Sequence, residues 1–313
     1  MTETPQAPPL RIRRRPRSTP WRRRHAFIGA AMVVVAAAAA TIALWPRPSP
    51  EPVASGLAAV DIPLSAPTPT RTPAPTGFPA DTAAYDLAAL PDVNVFAILP
   101  ALQTDAAENP DATGETARAT AEAIPVWSDP AAAPVARLGR DYRYGGTTVP
   151  VIERQEHWVR VLLTGRQSLP SAGDPGQVTG WLRVQDVEFG LVDSRIEVDL
   201  SDRTVDIVSA AGTERVAADF AWGREDTPTP IGRSFIMLVE TVSFAYTRGH
   251  PMVYLSVHSP TIDDFDDSDA AVTAFHYHDA RTGAISNGCI RLDGPAIDRL
   301  AQLPVGTPVT IRE

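Results

Sequence analysis

The sequence Ser286-Asn287-Gly288-Cys289-Ile290-Arg291-Leu292 contains the only cysteine of the 313-residue chain. A single cysteine cannot form an internal disulfide, and a buried, inert thiol is the ordinary interpretation of such a residue. The alternative is a nucleophile, because a thiolate attacks a carbonyl carbon once a base or a positive charge lowers the pKa of the thiol. The residues around Cys289 decide between these two interpretations.

Two histidines precede this stretch, His276 and His278, on a predicted strand that runs into the loop carrying Cys289. Residues two apart on a strand point to the same face, so either histidine can serve as the base for the thiol. Gly288 has no side chain, which lets a substrate carbonyl approach closely. The backbone N–H groups of Gly288 and Cys289 are therefore the predicted oxyanion donors.

A zinc site is the alternative chemistry for the same residues. His276 and His278, together with Cys289 and an acid such as Asp279, offer the nitrogen, sulfur and oxygen ligands that zinc accepts. Catalytic zinc sites normally use histidine and carboxylate ligands with a separate general base, and a thiol nucleophile explains the motif without a metal. We therefore expect no metal and no cofactor.

The last third of the chain has the sequence pattern of a mostly-β domain, which is predicted over 194–313. Polar and apolar residues alternate over 195–200 and 203–208, as in half-buried antiparallel strands. Further strands are predicted over 234–239, 252–257, 272–277 and 308–311, and the only helical pattern covers 295–303.

The motif around Cys289, with the strand ending in His276 before it, resembles the L,D-transpeptidase (YkuD-type) catalytic domain. The opening strand at 196–201 and the turn Thr-Pro-Thr-Pro-Ile-Gly at 227–232 also match that family, so the similarity spans about 195–312. It implies a β-sandwich fold. Asn287 stands where the family has a second histidine.

The resemblance also implies roles for individual residues. Cys289 would be the nucleophile and His276 the base, with His278 as the alternative base. The oxyanion and substrate-binding residues would be Ser286, Asn287, Gly288 and Arg291. Arg291 would brace the loop or bind a substrate carboxylate, but an ion pair with Asp293 or Asp298 is an equal alternative.

The implied reaction is acyl transfer between peptidoglycan stem peptides. The thiol would form a thioester with a donor stem peptide, expel its terminal D-residue, and pass the acyl group to an amine of an acceptor stem peptide, giving a 3→3 cross-link. Hydrolysis of the same thioester would make the protein an L,D-carboxypeptidase. A non-catalytic cell-wall-binding protein is the third possibility.

A smaller β domain is predicted over 121–190. Its apolar runs include Val126-Trp127, Trp158 to Val161, and Gly180-Trp181-Leu182, and they resemble the strands of the bacterial SH3-like barrel family. Members of that family are associated with cell-wall peptides. Ligand binding and structural spacing are both open for this segment.

The first 120 residues predict a membrane anchor. Residues 26–45 carry no charge and are long enough to cross the roughly 30 Å hydrocarbon core of a bilayer. Arginines cluster in residues 1–25, which predicts a cytoplasmic N-terminus and a catalytic domain that faces the cell wall. We expect a signal anchor rather than a cleaved signal peptide, followed by a Pro/Ala-rich, largely disordered linker over 46–120. The rest of the chain, after residue 25, carries a net negative charge, and this excludes nucleic-acid binding.

Overall fold

The structure is a computed structural model that describes residues 77–106, 113–265 and 268–313. The predicted cytoplasmic segment (1–25), the predicted membrane helix (26–45) and residues 46–76 of the predicted linker lie outside the described residues. Within the described part, no helix is both long enough and apolar enough to cross a bilayer.

The N-terminal β domain comprises the described residues up to 191. Its strands are β1 (Gln103–Thr104), β2 (Glu115–Ala119), β3 (Ala123–Val126), β4 (Ala136–Gly139), β5 (Val149–Arg154), β6 (Trp158–Arg166), β7 (Gln177–Arg183) and β8 (Val187–Leu191). Six of them form an antiparallel sheet in the order β1-β7-β6-β5-β2-β8, while β3 and β4 pair as a separate hairpin. Short 3₁₀ helices cover Leu87–Ala89 and Val184–Asp186.

This domain begins earlier in the chain than the sequence predicts. Val93, Val95, Leu99 and Leu102 are buried in the same apolar cluster as the strands, and β1 and β2 precede residue 121. The predicted linker therefore ends before residue 120. Val93, Val95 and Leu99 lie on alternate positions, but no strand forms over 90–102, so it is their long-range packing that distinguishes this segment from a linker.

The C-terminal domain contains β9 (Ser194–Asp199), β10 (Thr204–Ser209), β11 (Gly212–Ala217), β12 (Ala221–Gly223), β13 (Gly232–Glu240), β14 (Met252–His258), β15 (Val272–Tyr277), β16 (Gly283–Ser286), β17 (Ile290–Leu292) and β18 (Pro308–Arg312). It also contains helix α1 (Gly294–Leu300) and the 3₁₀ turn Ala245–Thr247. The mostly-β class predicted for this region is confirmed.

The ten strands form one mixed sheet rather than the two sheets of the expected sandwich. Their order is β11-β10-β9-β18-β13-β14-β15-β17-β12-β16. The last strand, β18, joins the two halves, because it runs parallel to β9 on one side and antiparallel to β13 on the other. The sheet curls around a single core in which Ile196 of β9 and Phe275 of β15 are both buried.

Helix α1 closes that core. Asp293 caps its N-terminus, since its side chain accepts a hydrogen bond from Ala296 N at 3.0 Å. Ile297 and Leu300 are buried in the apolar cluster of the curled sheet, as the helical pattern predicts.

The two domains share packing along β13 and β14. Phe235 and Met237 of β13 belong to the apolar cluster of the N-terminal domain. A buried hydrogen bond of 2.6 Å runs from Ser256 Oγ to Gln177 Oε1. The N-terminal domain therefore buries one face of the sheet that also carries the Cys289 loop.

We expect replacement of Phe235 by alanine to destabilise both domains together. Its ring is fully buried, and removing it leaves a cavity that costs about 3–5 kcal/mol. Chemical denaturation of a Trp222→Phe background, in which the tryptophans of the described residues all lie in the N-terminal domain, is followed by tryptophan fluorescence and by far-UV circular dichroism and measures the loss. Non-coincident transitions or a loss below about 1 kcal/mol would contradict the shared core.

Candidate active site

Cys289 follows a tight turn between β16 and β17. Gly288 has a φ of +105°, a conformation that side-chain-bearing residues rarely adopt. A Cβ atom at this position would also lie 3.4 Å from Pro228 O. Glycine is therefore required before the cysteine for backbone reasons.

Side chains of Ser286 and of the 227–230 turn hold this loop. Ser286 Oγ accepts a hydrogen bond from Gly288 N at 3.1 Å and donates one to Cys289 O at 2.6 Å. Thr229 Oγ1 donates to Gly288 O at 2.9 Å, and it accepts a hydrogen bond from Gly223 N at 2.9 Å. The Thr-Pro-Thr-Pro turn, identified in the sequence as a turn that matches the family, is thus a structural support for the Cys289 loop.

These bonds change the expected set of oxyanion donors. The N–H of Gly288 is engaged by Ser286 Oγ, so it is not free to bind a developing negative charge. The N–H of Cys289 makes no hydrogen bond among the described residues. The prediction of two donors is therefore reduced to the Cys289 N–H. Asn287 is exposed and forms no hydrogen bond in the described structure.

Strand register places the candidate residues on one face of the sheet. Met252 of β14, His276 of β15 and Arg291 of β17 lie directly opposite one another. Phe275 pairs with Ile290, and both of these residues point into the core on the other face. Cys289 directly precedes β17, so continued alternation of side chains puts it on the face of His276 and Arg291, and its thiol is hydrogen-bonded by the Ala274 N–H of the neighbouring strand.

His276 is buried and oriented by the backbone. Its Nδ1 lies 2.9 Å from the Tyr277 carbonyl oxygen, which only accepts, so Nδ1 carries the proton. The neutral ring then has its lone pair on Nε2. Burial, with smaller contributions from Arg291 and His278, lowers the pKa of His276 to about 4. The imidazole is therefore neutral at pH 7, and Nε2 can accept a proton.

His278 has the opposite tautomer. Its Nδ1 accepts a hydrogen bond of 2.9 Å from Ala280 N, so the lone pair of the neutral ring is already used and Nε2 carries the proton. The side chain is half-buried, and burial together with Arg291 lowers its pKa. This arrangement makes His278 a hydrogen-bond donor toward its surroundings.

Cys289 is half-buried and holds its proton in the resting state. Burial raises the pKa of the thiol, while the Ala274 N–H and the charge of Arg291 lower it to a smaller extent. Neither histidine forms a hydrogen bond with the thiol among the described residues. Hydrogen bonds of this kind often tighten only when substrate binds.

Arg291 does not form either of the alternative ion pairs. Asp293 caps α1, and Asp298 binds His250 Nδ1 at 2.8 Å. Arg291 Nε is buried without a hydrogen-bond partner in the described structure. Arg291 lies directly opposite His276 in the strand register, and its charge lowers the pKa of His276 and of Cys289.

Aromatic residues that the sequence reasoning assigned no role border the histidines. The ring of Tyr246 lies 5.2 Å from that of His276 and 5.7 Å from that of His278, while Phe244 stacks on Tyr246 at 5.4 Å. Tyr254 lies opposite Ala274 and so on the same face as Cys289; burial raises the pKa of its phenol to about 12. In the sequence, these residues are marked only by the three aromatic side chains between positions 244 and 254.

The zinc alternative has no support in the geometry. Within the described residues, no group of three histidine, cysteine or acidic side chains is placed to hold a metal. Asp279, the suggested acidic ligand, is bound by Arg248 and by the Tyr277 hydroxyl. The hydrogen bond from Ala280 occupies Nδ1 of His278.

We expect Thr229→Val to impair both catalysis and stability. The change removes the hydroxyl that binds Gly288 O, which frees the Cys289 loop to shift and lowers kcat about 10–100-fold. The unpaired buried groups cost about 1–3 kcal/mol of unfolding free energy. Thr310→Val is the matched control, because Thr310 is buried on β18 and its hydroxyl makes no hydrogen bond within the described structure. Equal activity of the two variants would contradict a supporting role for Thr229.

Comparison with known proteins agrees with this geometry over the C-terminal domain. Residues 193–311 match the family model of the YkuD L,D-transpeptidase catalytic domain. No curated protein matches the sequence.

Similar solved structures include several L,D-transpeptidases. One from Mycobacterium smegmatis has 13% identity and a TM-score of 0.31, covering 50% of this chain and 91% of that chain. The catalytic domain of the E. faecium L,D-transpeptidase has 22% identity and a TM-score of 0.27, covering 39% and 100%. One from Mycobacterium tuberculosis H37Rv has 15% identity and a TM-score of 0.30, covering 50% and 91%. At such values these likenesses carry no argument about function.

The fold, the Cys289 loop and the family match together define the class of the C-terminal domain. Residues 193–311 are a YkuD-type L,D-transpeptidase catalytic domain, which is an acyltransferase domain.

Proposed function

We propose that this protein is a cysteine-dependent L,D-transpeptidase that forms 3→3 cross-links between peptidoglycan stem peptides. The observation that carries the proposal is the position of Cys289 at the start of β17, which pairs with the strand of His276, together with the free lone pair of His276 on Nε2. A thiol beside a neutral, oriented imidazole is the arrangement that nucleophilic acyl transfer requires.

The first half-reaction forms the thioester. His276 Nε2 takes the thiol proton as Cys289 Sγ attacks the donor carbonyl carbon, and the Cys289 N–H binds the negative oxygen. The tetrahedral intermediate then collapses. Its C–N bond breaks, the proton on His276 passes to the leaving amine, and the terminal D-residue departs.

The second half-reaction transfers the acyl group. An amine of the acceptor stem peptide attacks the thioester carbonyl and loses a proton to His276, the C–S bond breaks, and the thiol recovers that proton. The product is the cross-linked dimer. Arg291, whose guanidinium lacks an ion-pair partner in the described structure, supplies positive charge for a carboxylate of the substrate.

We expect an acid limb in kcat/KM near pH 4. His276 acts as a base only when neutral, and its pKa of about 4 lies well below the ordinary 6.5, so activity falls as pH drops through about 4. Folding must be checked by circular dichroism at each pH. His258 is buried with a pKa lowered to about 3, so its contribution to stability is present above pH 6.5 and is lost as pH falls. An acid limb at pH 6–7 in folded protein would contradict the role of His276.

The location of the enzyme is part of the proposal. The arginine-rich start and the uncharged run over 26–45 support a single-pass membrane anchor with the catalytic domain facing the cell wall. Fractionation of cells that express the full chain tests it. We expect the full-length protein in the membrane fraction. External protease should cleave it only after the outer layers of the cell envelope have been removed.

Product analysis tests the reaction. Purified protein is incubated with a disaccharide-tetrapeptide carrying a terminal D-residue, and the products are separated and weighed by mass spectrometry. Dimers linked 3→3 are expected. Tripeptide monomers alone would mean that water replaces the acceptor amine, and unchanged substrate would contradict the proposed function.

A further inference from the structure

The N-terminal β domain has an aromatic face, formed by Trp127, Trp158 and Trp181. The rings of Trp127 and Trp158 meet edge to face at 4.9 Å, and Trp181 pairs with Trp127 through two backbone hydrogen bonds. Such a face normally either packs into a core or binds an extended ligand.

The residues that cover this face come from the start of the described chain. Phe78 lies edge to face on Trp181, with the ring centroids 5.6 Å apart, and Tyr85 lies on Trp127 in the same way at 5.6 Å. Between them, the residues Thr82 to Ala84 are exposed. Segment 77–86 thus lies on the surface of the domain with its two aromatic rings as anchors.

Most polar contacts to this segment involve its backbone. Trp158 Nε1 donates to Pro79 O at 2.8 Å, and Gln155 Oε1 accepts from Phe78 N at 2.9 Å. Arg183 Nη1 donates to Ala83 O at 2.8 Å. Gln185 Nε2 donates to a further carbonyl, that of Asp81, at 3.2 Å.

Recognition of this kind suits an extended peptide. Carbonyl and amide groups are the same in every peptide, so these contacts require a backbone conformation and leave side-chain selection to the two aromatic anchors. Segment 77–86 has no regular secondary structure, and the 3₁₀ turn at Leu87–Ala89 ends it. Inside it, Asp81 accepts hydrogen bonds from Ala83 N and from the Tyr85 hydroxyl, which fixes its shape.

We propose that the aromatic face is a binding groove for an extended peptide with two aromatic anchors, and that the chain's own segment 77–86 occupies it. A tethered segment competes at an effective concentration on the order of millimolar, which excludes weaker peptides. The groove is therefore closed to other peptides, and the segment fastens the chain at residue 77 to the body of the domain. This proposal is independent of the reaction assigned to Cys289.

Binding of a synthetic peptide tests the proposal. The probe is a fluorescently labelled copy of residues 76–89, and the protein is full-length, either wild type or the double variant Phe78→Ser/Tyr85→Ser. We expect the variant to bind the probe at least tenfold more tightly than wild type, measured by fluorescence anisotropy. Phe96→Ser/Ile98→Ser is the matched control, because it removes two exposed apolar side chains outside the aromatic face and leaves the groove occupied.

Equal binding by wild type and the double variant, or no binding by a folded double variant, would overturn the proposal. Binding of a probe with both aromatic residues changed to serine would also overturn it. If the double variant does not fold, hydrogen exchange of the wild-type protein tests the proposal instead. The Phe78 amide is expected to be protected by its bond to Gln155, and rapid exchange at that amide would contradict the occupied groove.

Discussion

Cys289→Ala is expected to abolish formation of 3→3 dimers, with a loss of at least about 10⁴-fold in turnover. The thiol is the group that forms the covalent intermediate, and no other cysteine exists in the chain to replace it. Mass spectrometry of muropeptides incubated with the variant measures the loss. The fold should be retained, because alanine at a half-buried position removes only a sulfur atom.

Cys289→Ser is the matched control for shape. A hydroxyl fills nearly the same volume but is far less acidic than a thiol, so this variant should be as well folded as wild type and almost inactive. Circular dichroism and denaturation compare the three proteins. Dimer formation by Cys289→Ala at the wild-type rate would show that another group carries the acyl chain.

His276→Ala is expected to lower kcat/KM by about 10²–10⁴-fold. The change removes the ring whose Nε2 is free to take the thiol proton, and the raised pKa of Cys289 leaves little thiolate at pH 7. Because thiolate forms spontaneously at high pH, the deficit should shrink as pH rises.

The matched control for this prediction is His278→Ala. The lone pair of His278 is used by Ala280 N, so its loss should cost less than about tenfold. Steady-state kinetics with a tetrapeptide donor separates the two variants. A larger effect at His278 than at His276 would place the base two residues further along and leave the reaction class unchanged.

Much of the C-terminal domain could be predicted from local pattern. Alternating polar and apolar residues predicted β9 and β10, and the proline-rich turn before β13 predicted where that strand begins. Such signals are local, because each strand carries its own period of two. The continuous curled sheet was not predictable, since it depends on β18 pairing with both β9 and β13 over long sequence distances.

The candidate site divides in the same way. The motif around Cys289 and the strand ending in His276 identified the nucleophile and two possible bases. The choice between the bases depends on which backbone group each Nδ1 meets, and sequence spacing does not contain that information. The engagement of Gly288 N–H by Ser286 and the absence of an ion pair at Arg291 among the described residues likewise follow from three-dimensional contacts.

The N-terminal domain also bears on the site through the shared sheet. It covers part of the face that carries Cys289, with Tyr144 of one domain and Tyr254 of the other packed on the same apolar cluster. Arg143 pairs with Glu240 at the end of β13, beside Met252. Removal of the N-terminal domain would therefore disturb the ends of β13 and β14 near His276 as well as the packing at Phe235.

Intact-protein mass spectrometry of the acyl-enzyme tests the central claim most directly. Wild-type protein is mixed briefly with a tetrapeptide donor in the absence of acceptor, quenched in acid, and digested to locate the adduct. We predict a mass increase equal to the donor less its terminal D-residue, on the peptide containing Cys289, and no such adduct in Cys289→Ala. Product formation without a Cys289 adduct, or an adduct on another residue, would contradict the account.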